Sequence, residues 1–185
     1  MEIAVNNMKR IFITLLFTAA PLILLSNGIA CSSQASSGTV SSQINGPPPT
    51  VDNLAPDFTV DDINGKTVEL TNFRGKNVLL DFWSLDCDQC IMERDIFQAV
   101  HAEDPDIQIM MVDSKEDLNM VRQYVRSSNF TLPVFIDEGE RAAGSYDVNL
   151  IPETFLINSA GTIKYIQDGA FASRTQLEDA LRTLQ

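Results

Sequence analysis

Val78-Leu79-Leu80-Asp81-Phe82-Trp83-Ser84-Leu85-Asp86-Cys87-Asp88-Gln89-Cys90 is the stretch of the chain that decides the fold. Its first six residues are apolar apart from Asp81, which predicts a strand buried on both faces. Residues 91–102 then carry apolar side chains at helical spacing, at Ile91 or Met92, Ile96, Ala99 and Val100. The two cysteines therefore lie about one turn apart at a helix start, where they can close a small disulfide. The first thiol meets the positive end of the helix dipole, which favours reactive thiolate, so the pair indicates thiol–disulfide exchange.

The chain has the length of a single domain and is strongly acidic. Its 185 residues include 13 Lys and Arg against 25 Asp and Glu, a formal net charge of -12. Nucleic acid needs a basic face to neutralise its phosphates, so this balance argues against a nucleic-acid partner. It also provides no polybasic attraction to anionic lipid.

The first thirty residues predict a signal peptide. Lys9 and Arg10 precede an apolar run from Ile11 to Leu25. That run is shorter than the roughly 20 apolar residues that a membrane-spanning helix needs, so a cleaved signal is favoured over a permanent span. Starts at Met1 and at Met8 both fit this pattern.

Ser26-Asn27-Gly28-Ile29-Ala30-Cys31 ends the segment and is similar to a bacterial lipobox, in which small residues precede a cysteine that becomes lipidated. Asn27 and Gly28 depart from that pattern, which leaves two alternatives: an uncleaved anchor helix, or an ordinary signal peptide cut near Ala30. Lipid on Cys31 also accounts for the odd one of three cysteines. We predict a signal peptide over 1–30, then lipidated Cys31 and a disordered tether rich in Ser, Gly and Pro over 31–50. The domain over 51–185 is then extracytoplasmic and tethered to the bacterial cell membrane, or secreted if no anchor is retained.

From residue 51 the pattern predicts a hairpin, then β-α-β-α-β-α, then a second hairpin and a last helix. The predicted strands are Asp57 to Val60, Thr67 to Leu70, Asn77 to Trp83, Ile107 to Val112, Pro133 to Ile136, Thr154 to Ile157 and Ile163 to Gln167. After the cysteine helix, further helices are predicted over Glu116 to Arg126, over Arg141 to Tyr146 and from Ser173, which has Gln176 three residues on as in a capping box. Helices between strands imply parallel pairing and hairpins imply antiparallel edges, so a mixed sheet covered on both faces follows.

Three motifs in order carry a resemblance to a known family: Ala55-Pro56-Asp57-Phe58, the stretch from Phe82 to Cys90, and Ile151-Pro152-Glu153-Thr154-Phe155-Leu156-Ile157. Over residues 51–185 the chain resembles the membrane-tethered, extracytoplasmic thiol–disulfide oxidoreductases of cytochrome c maturation, within the AhpC/TSA and thioredoxin-like superfamily. The resemblance implies an α/β fold, a thioredoxin-like three-layer α/β/α sandwich with a mixed central sheet and an N-terminal β-hairpin.

The resemblance also implies roles for the site residues. Cys87 is the attacking thiol and Cys90 the deeper, resolving thiol. Asp81 matches a buried acid that moves protons for the deeper cysteine, and burial would raise its pKa toward that task. Pro152 matches a cis-proline that lies against the dithiol. Ile151 before it would offer backbone groups to an extended substrate segment, and Trp83 would pack beside this substrate-binding region.

Three acids lie around the thiols, and two of them depart from the family pattern. Asp86 replaces a Trp, Glu153 replaces a Thr, and Asp88 lies between the cysteines. Negative charge disfavours thiolate, and a less stabilised thiolate makes a less oxidising disulfide. We therefore predict a reductant that favours cationic partners.

We expect no cofactor and no metal. His101 is the only histidine and is predicted at the surface or the helix end, where its isolation argues against a copper-delivery site. The expected partners of this monomer are a disulfide-bearing protein substrate and a membrane or extracytoplasmic thiol donor.

Two alternatives stay open. A peroxiredoxin-like thiol peroxidase would suit Ala55 to Phe58 and Ser84, although Leu80 stands where that family has its active-site proline. A non-catalytic binding lipoprotein would keep the fold without the chemistry, against which the intact cysteine pair, Asp81 and Pro152 argue.

Overall fold

Seven strands and four α-helices follow one another in the predicted order in the computed structural model, which describes residues 48–185. The strands are β1 (Thr59–Asp62), β2 (Thr67–Glu69), β3 (Val78–Trp83), β4 (Gln108–Asp113), β5 (Val134–Ile136), β6 (Glu153–Ile157) and β7 (Ile163–Asp168). The helices are α1 (Asp88–Glu103), α2 (Leu118–Ser127), α3 (Arg141–Ser145) and α4 (Arg174–Leu181), with short 3-10 helices at Leu70–Phe73 and Arg182–Leu184. The predicted signal peptide, Cys31 and the tether up to residue 47 lie outside the described residues.

The strands form one mixed sheet in the order β2-β1-β5-β4-β3-β6-β7. The central strand β3 pairs in parallel with β4 and antiparallel with β6, because a helix joins the first pair and α3 leads the chain back for the second. The two predicted hairpins, β1–β2 and β6–β7, form the edges of the sheet. The thioredoxin-like architecture with an N-terminal hairpin is thus confirmed.

Successive side chains of β3 point to opposite faces of the sheet and contribute to two separate hydrophobic cores. Leu79 and Trp83 pack on one face beneath α1, α2 and α4, while Leu80 and Phe82 pack on the other beneath α3 and residues 55–58. All six side chains of β3 are buried. Asp81 points to the same face as Leu79 and Trp83, so its carboxyl group is directed toward the layer that holds the cysteine helix.

Several predicted boundaries shift by a few residues. β1 begins at Thr59, two residues later than predicted, and reaches Asp62, where it pairs with β5. Leu70, predicted to end β2, instead starts a 3-10 helix and donates its N–H to Phe58 O at 3.1 Å. At α4 the Ser173 hydroxyl accepts from Gln176 N as in a capping box, but the Gln176 amide receives the N–H of Ala172.

The chain enters this domain beside the β6–β7 turn. Asp52 N–H donates to Ile163 O at 2.7 Å and Ala55 N–H donates to Gly161 O at 2.9 Å. In the sheet, Ile157 at this turn pairs with Val78, the first residue of β3, whereas Glu153 pairs with Phe82 near its end. The entering segment therefore lies at the end of the sheet opposite the cysteines. Over residues 48–185 no helix combines the length and the apolarity that a membrane crossing requires.

Candidate active site

Cys87 and Cys90 form a disulfide at the start of α1, with an S–S distance of 2.01 Å. Cys87 is the N-cap of the helix, and its sulfur accepts the Cys90 N–H at 3.1 Å. Cys87 is half-buried, whereas Cys90 is fully buried. A substrate therefore reaches Cys87 first, and a thiolate there lies at the positive end of the helix dipole.

Asp81 belongs to a buried cluster of polar groups beneath α1. Its side chain is fully buried, and Oδ1 accepts the Thr154 hydroxyl at 2.9 Å. Burial, followed by the negative charge of Glu93, raises the pKa of Asp81 well above its usual value. Asp81 is thus buried as predicted, and a second acid lies beside it.

Glu93 is that second acid. It is buried, and its Oε2 accepts the Phe171 N–H at 2.8 Å. Asp81 Oδ2 and Glu93 Oε1 receive no N–H or O–H from any described residue, and the two carboxyl groups lie within hydrogen-bonding reach of each other. Burial raises the pKa of Glu93 to about 7. Because the pKa values of both groups are raised, the pair holds at least one proton at pH values below about 7.

The apolar face predicted for α1 was partly wrong, which explains why Glu93 was missed. The buried residues of the helix are Cys90, Glu93, Phe97 and Val100. Met92 is exposed, while Ile91, Ile96 and Ala99 are only half-buried. Positions 90, 93 and 97 lie on one face of a helix, and Cys90 is expected to face the core. An acidic residue at position 93 on that face was therefore the signal in the sequence that pointed to a buried acid.

The loop before β6 lies beside the cysteine pair. The Ile151–Pro152 peptide bond is cis, in agreement with the resemblance. Ile151 lines one cavity together with Cys87, and its backbone N–H and C=O make no hydrogen bond to any described residue. An extended segment next to Cys87 could use these free groups.

The acids predicted near the thiols divide between two cavities. Asp86 and Asp88 are exposed and line the cavity of Cys87. Glu153 lines a second cavity, beside Pro152, with Asp147 and Asp168. Burial and then the charges of Asp168 and Asp147 raise the pKa of Glu153 to about 7. Glu153 therefore carries only part of a charge at neutral pH, and it does not line the cavity of Cys87.

Trp83 does not reach the substrate-facing surface, because its side chain is fully buried. Its ring lies 5.3 Å from that of Phe130 and 6.2 Å from that of Tyr124, between centroids. The predicted packing role fits this position, whereas direct contact with a docked segment does not.

His101 lies in the last turn of α1 and is half-buried, as predicted for a helix-end residue. Within residues 48–185, no three His, Cys, Asp or Glu side chains are grouped so that they could hold a metal ion.

The sheet, the cysteine pair capping α1 and the adjacent cis-proline together define a dithiol protein of thioredoxin-like fold. The model of the AhpC/TSA family matches residues 51–166, and the chain belongs to this family.

Curated relatives of this chain include proteins named thiol-disulfide oxidoreductase ResA. The protein from Bacillus subtilis (strain 168) is 33% identical over 117 residues, which cover 62% of this chain and 65% of the relative. The protein from Bacillus thuringiensis subsp. konkukian is 32% identical over 133 residues, covering 70% and 76% respectively. The chain thus spans just under two thirds of the Bacillus subtilis relative.

Solved structures share the fold at lower identity. A secreted disulfide oxidoreductase of Mycobacterium tuberculosis, homologous to DsbE of E. coli, superposes with a TM-score of 0.61 at 21% identity, covering 69% of this chain and 96% of its own. The exposed lipoprotein thioredoxin Etrx1 of Streptococcus pneumoniae gives 0.62 at 22% identity, covering 69% and 98%.

Proposed function

We propose that this chain is an extracytoplasmic thiol–disulfide oxidoreductase that reduces protein disulfides through Cys87 and Cys90. The observation that carries the proposal is the Cys87–Cys90 disulfide, with one half-buried and one buried sulfur, at the start of α1. The names of the ResA relatives support the same activity. Substrates include the disulfides met in cytochrome c maturation or in general redox homeostasis.

The reaction begins from the dithiol form. The Cys87 thiolate attacks one sulfur of the substrate disulfide, forming a mixed disulfide and releasing a substrate thiolate. Cys90 then loses its proton and attacks Cys87, which releases the second substrate thiol and closes the Cys87–Cys90 disulfide. Two electrons pass to the substrate, and an extracytoplasmic or membrane thiol donor returns two to the chain.

The Asp81–Glu93 pair is positioned to assist the second step. Both carboxyl groups are buried on the face of the sheet against which Cys90 packs. A carboxyl pair that exchanges one proton near neutral pH has the affinity needed to accept the proton of Cys90. We assign Asp81 this role together with Glu93.

The negative charge around Cys87 favours the reducing direction of the reaction. Asp86 and Asp88 lie in the cavity of Cys87 and oppose the helix dipole, so they disfavour the thiolate. Contacts with the substrate would come from Ile151 and Pro152. The acids Glu153, Asp147 and Asp168 line the same cavity and favour a basic substrate segment. A measured reduction potential as oxidising as that of strong disulfide-forming oxidases, about -120 mV, would contradict the reductant assignment.

The decisive test is trapping with Cys90→Ser. This variant retains the attacking thiol but cannot resolve the mixed disulfide, so adducts should accumulate on Cys87 and be identified by mass spectrometry. Cys87→Ser is the matched control and should trap nothing. Absence of adducts from Cys90→Ser would contradict exchange chemistry, and peroxide consumption that survives Cys90→Ser would favour the peroxidase instead.

We further propose that Cys31 carries lipid and tethers a monomer to the outer face of the cell membrane. The lipobox-like segment before Cys31 supports this. Cys31→Ser should release the protein from the membrane fraction. Retention of this variant would indicate an uncleaved anchor helix.

A further inference from the structure

A second carboxyl pair, Asp113 and Glu116, lies on the Cys87 side of the active site and takes no part in the mechanism above. Asp113 ends β4 and pairs in the sheet with Trp83, which ends β3. The two loops that leave these neighbouring strands are therefore side by side. One loop leads to Cys87 and the other carries Glu116.

A hydrogen bond joins the two loops. Leu85 N–H donates to Glu116 Oε2 at 3.3 Å. Among the described residues, it is the only hydrogen bond that ties residues 84–86 to another element of the fold; the Cys87 N–H to Ser84 O bond is local. This segment is thus held by the packing of Leu85 and Cys87 against the core and by the hydrogen bond to Glu116.

Asp113 holds that carboxylate in place. Its Oδ1 accepts the N–H groups of Lys115 and Glu116, each at 3.0 Å. Its Oδ2 is buried and receives no N–H or O–H from any described residue, while the Glu116 carboxyl group lies within hydrogen-bonding reach. Burial, followed by its hydrogen bond with Glu116, raises the pKa of Asp113 to about 7, so a protonated Asp113 can donate from Oδ2 to Glu116 and leave Glu116 Oε2 free for Leu85.

Glu116 also borders the reaction space, because it lines the same cavity as Cys87, Asp86 and Ile151. We propose that Glu116, held by Asp113, is a positioning residue that fixes the Ser84–Cys87 loop and thereby the attack geometry of Cys87. The proposal rests on the exchange function proposed above. It adds a role for the β4–α2 loop, which contains neither the two cysteines nor the cis-proline.

Two substitutions separate anchoring from charge. Glu116→Ala removes both the carboxylate charge and the acceptor of the Leu85 N–H. Glu116→Gln removes the same charge but keeps a carbonyl acceptor for Leu85, and its amide N–H can donate to the buried Asp113 Oδ2. Glu138→Ala, an exposed acid after β5, serves as the matched control for loss of one negative charge.

The measurement is the reaction rate of Cys87 with a small aromatic disulfide. The full chain carries Cys31→Ser and Cys90→Ser, so that Cys87 is its single thiol. Thiolate absorbance gives the thiolate fraction, and the rate is expressed per thiolate. The free energy of unfolding is measured for each variant, because a purely structural role would change stability and leave the rate per thiolate unaltered.

We expect Glu116→Ala to lower the rate per thiolate about tenfold, since small displacements of a reacting group have effects of this size or larger. Glu116→Gln and Glu138→Ala should stay within about twofold of the parent. An unchanged Glu116→Ala rate would overturn the proposal, as would a Glu116→Gln rate that falls equally far. A parent protein that does not react at all would instead contradict the proposed function.

Hydrogen exchange of the unsubstituted protein provides a test that needs no variant. The Leu85 amide should exchange at least about tenfold more slowly than the neighbouring Asp86 amide, which makes no hydrogen bond to a described residue. Equal exchange of the two amides would overturn the anchor.

Discussion

Asp81 and Glu93 place two carboxyl groups where water does not reach them, on the side of the sheet that carries Cys90. A single buried carboxylate would be costly, but two that share a proton satisfy each other's oxygens and carry one charge instead of two. Thr154 and the Phe171 N–H hold the outer oxygens of the pair. The arrangement keeps one proton acceptor within the core with half the buried charge of two ionised carboxylates.

Replacement of both acids tests that role. Asp81→Asn with Glu93→Gln retains the shape of the pair and its hydrogen-bonding capacity but removes the proton acceptor. We expect resolution of the mixed disulfide to slow by about 100-fold near neutral pH, the usual scale of general base catalysis. Rapid-quench measurement of a preformed Cys87 mixed disulfide reports this step.

Each single variant should show a smaller loss, because one carboxyl group remains. Asp106→Asn, at an exposed acid between α1 and β4, is the control and should resolve at the normal rate. A double variant that also resolves at the normal rate would remove the pair from the mechanism.

At the scale of elements, α1 packs against the rest of the fold through its buried face. Phe97 is fully buried, and its ring centroid lies 6.0 Å from that of Phe171. Phe97→Ala should therefore cost about 3–5 kcal/mol of unfolding free energy through lost burial and the cavity left behind. Urea denaturation measures this loss.

The same helix offers its own control. Met92 is 65% exposed, so Met92→Ala should change the unfolding free energy by less than about 0.5 kcal/mol. Equal losses for the two variants would contradict the assignment of the buried face.

How far the sequence predicts this molecule also depends on the element concerned. The Asn-Gly and Ala-Gly turns predicted both hairpins, and the run into Cys87 predicted the central strand and its helix, because these signals are local. The buried face of α1 was misread because Glu93 is an acidic residue, and its partner Asp81 lies on a different element, β3. Glu116 was missed for the same reason: the Leu85 N–H reaches it only when β3 and β4 lie side by side.

For the whole molecule, raised carboxyl pKa values predict stability that falls as pH rises. The pKa values of Glu93, Asp113 and Glu153 are raised to about 7 by burial, and that of Asp81 is raised as well. Unfolded carboxyl groups lose their protons near pH 4. Between about pH 4 and pH 7 the folded state therefore holds more protons, so this stability is complete below pH 4 and is lost as pH rises through 7.

We expect the unfolding free energy of the oxidised protein to decrease from pH 5 to pH 8, with about 3 kcal/mol attributable to Glu93 over its full titration range. The double variant Asp81→Asn with Glu93→Gln should show a shallower decrease in urea titrations. A flat profile for the parent protein would contradict the buried protonated carboxyl groups.

The position of residues 52–55 also affects the access of other proteins to Cys87. Asp52 to Ala55 bond to the β6–β7 turn, a full strand length, about 20 Å, from the end of β3 that leads to Cys87. The entering segment and Cys87 thus lie at opposite ends of the sheet. Within residues 48–185, the first residues of the domain therefore lie away from the surface around Cys87, so they do not restrict the access of a substrate disulfide to this sulfur.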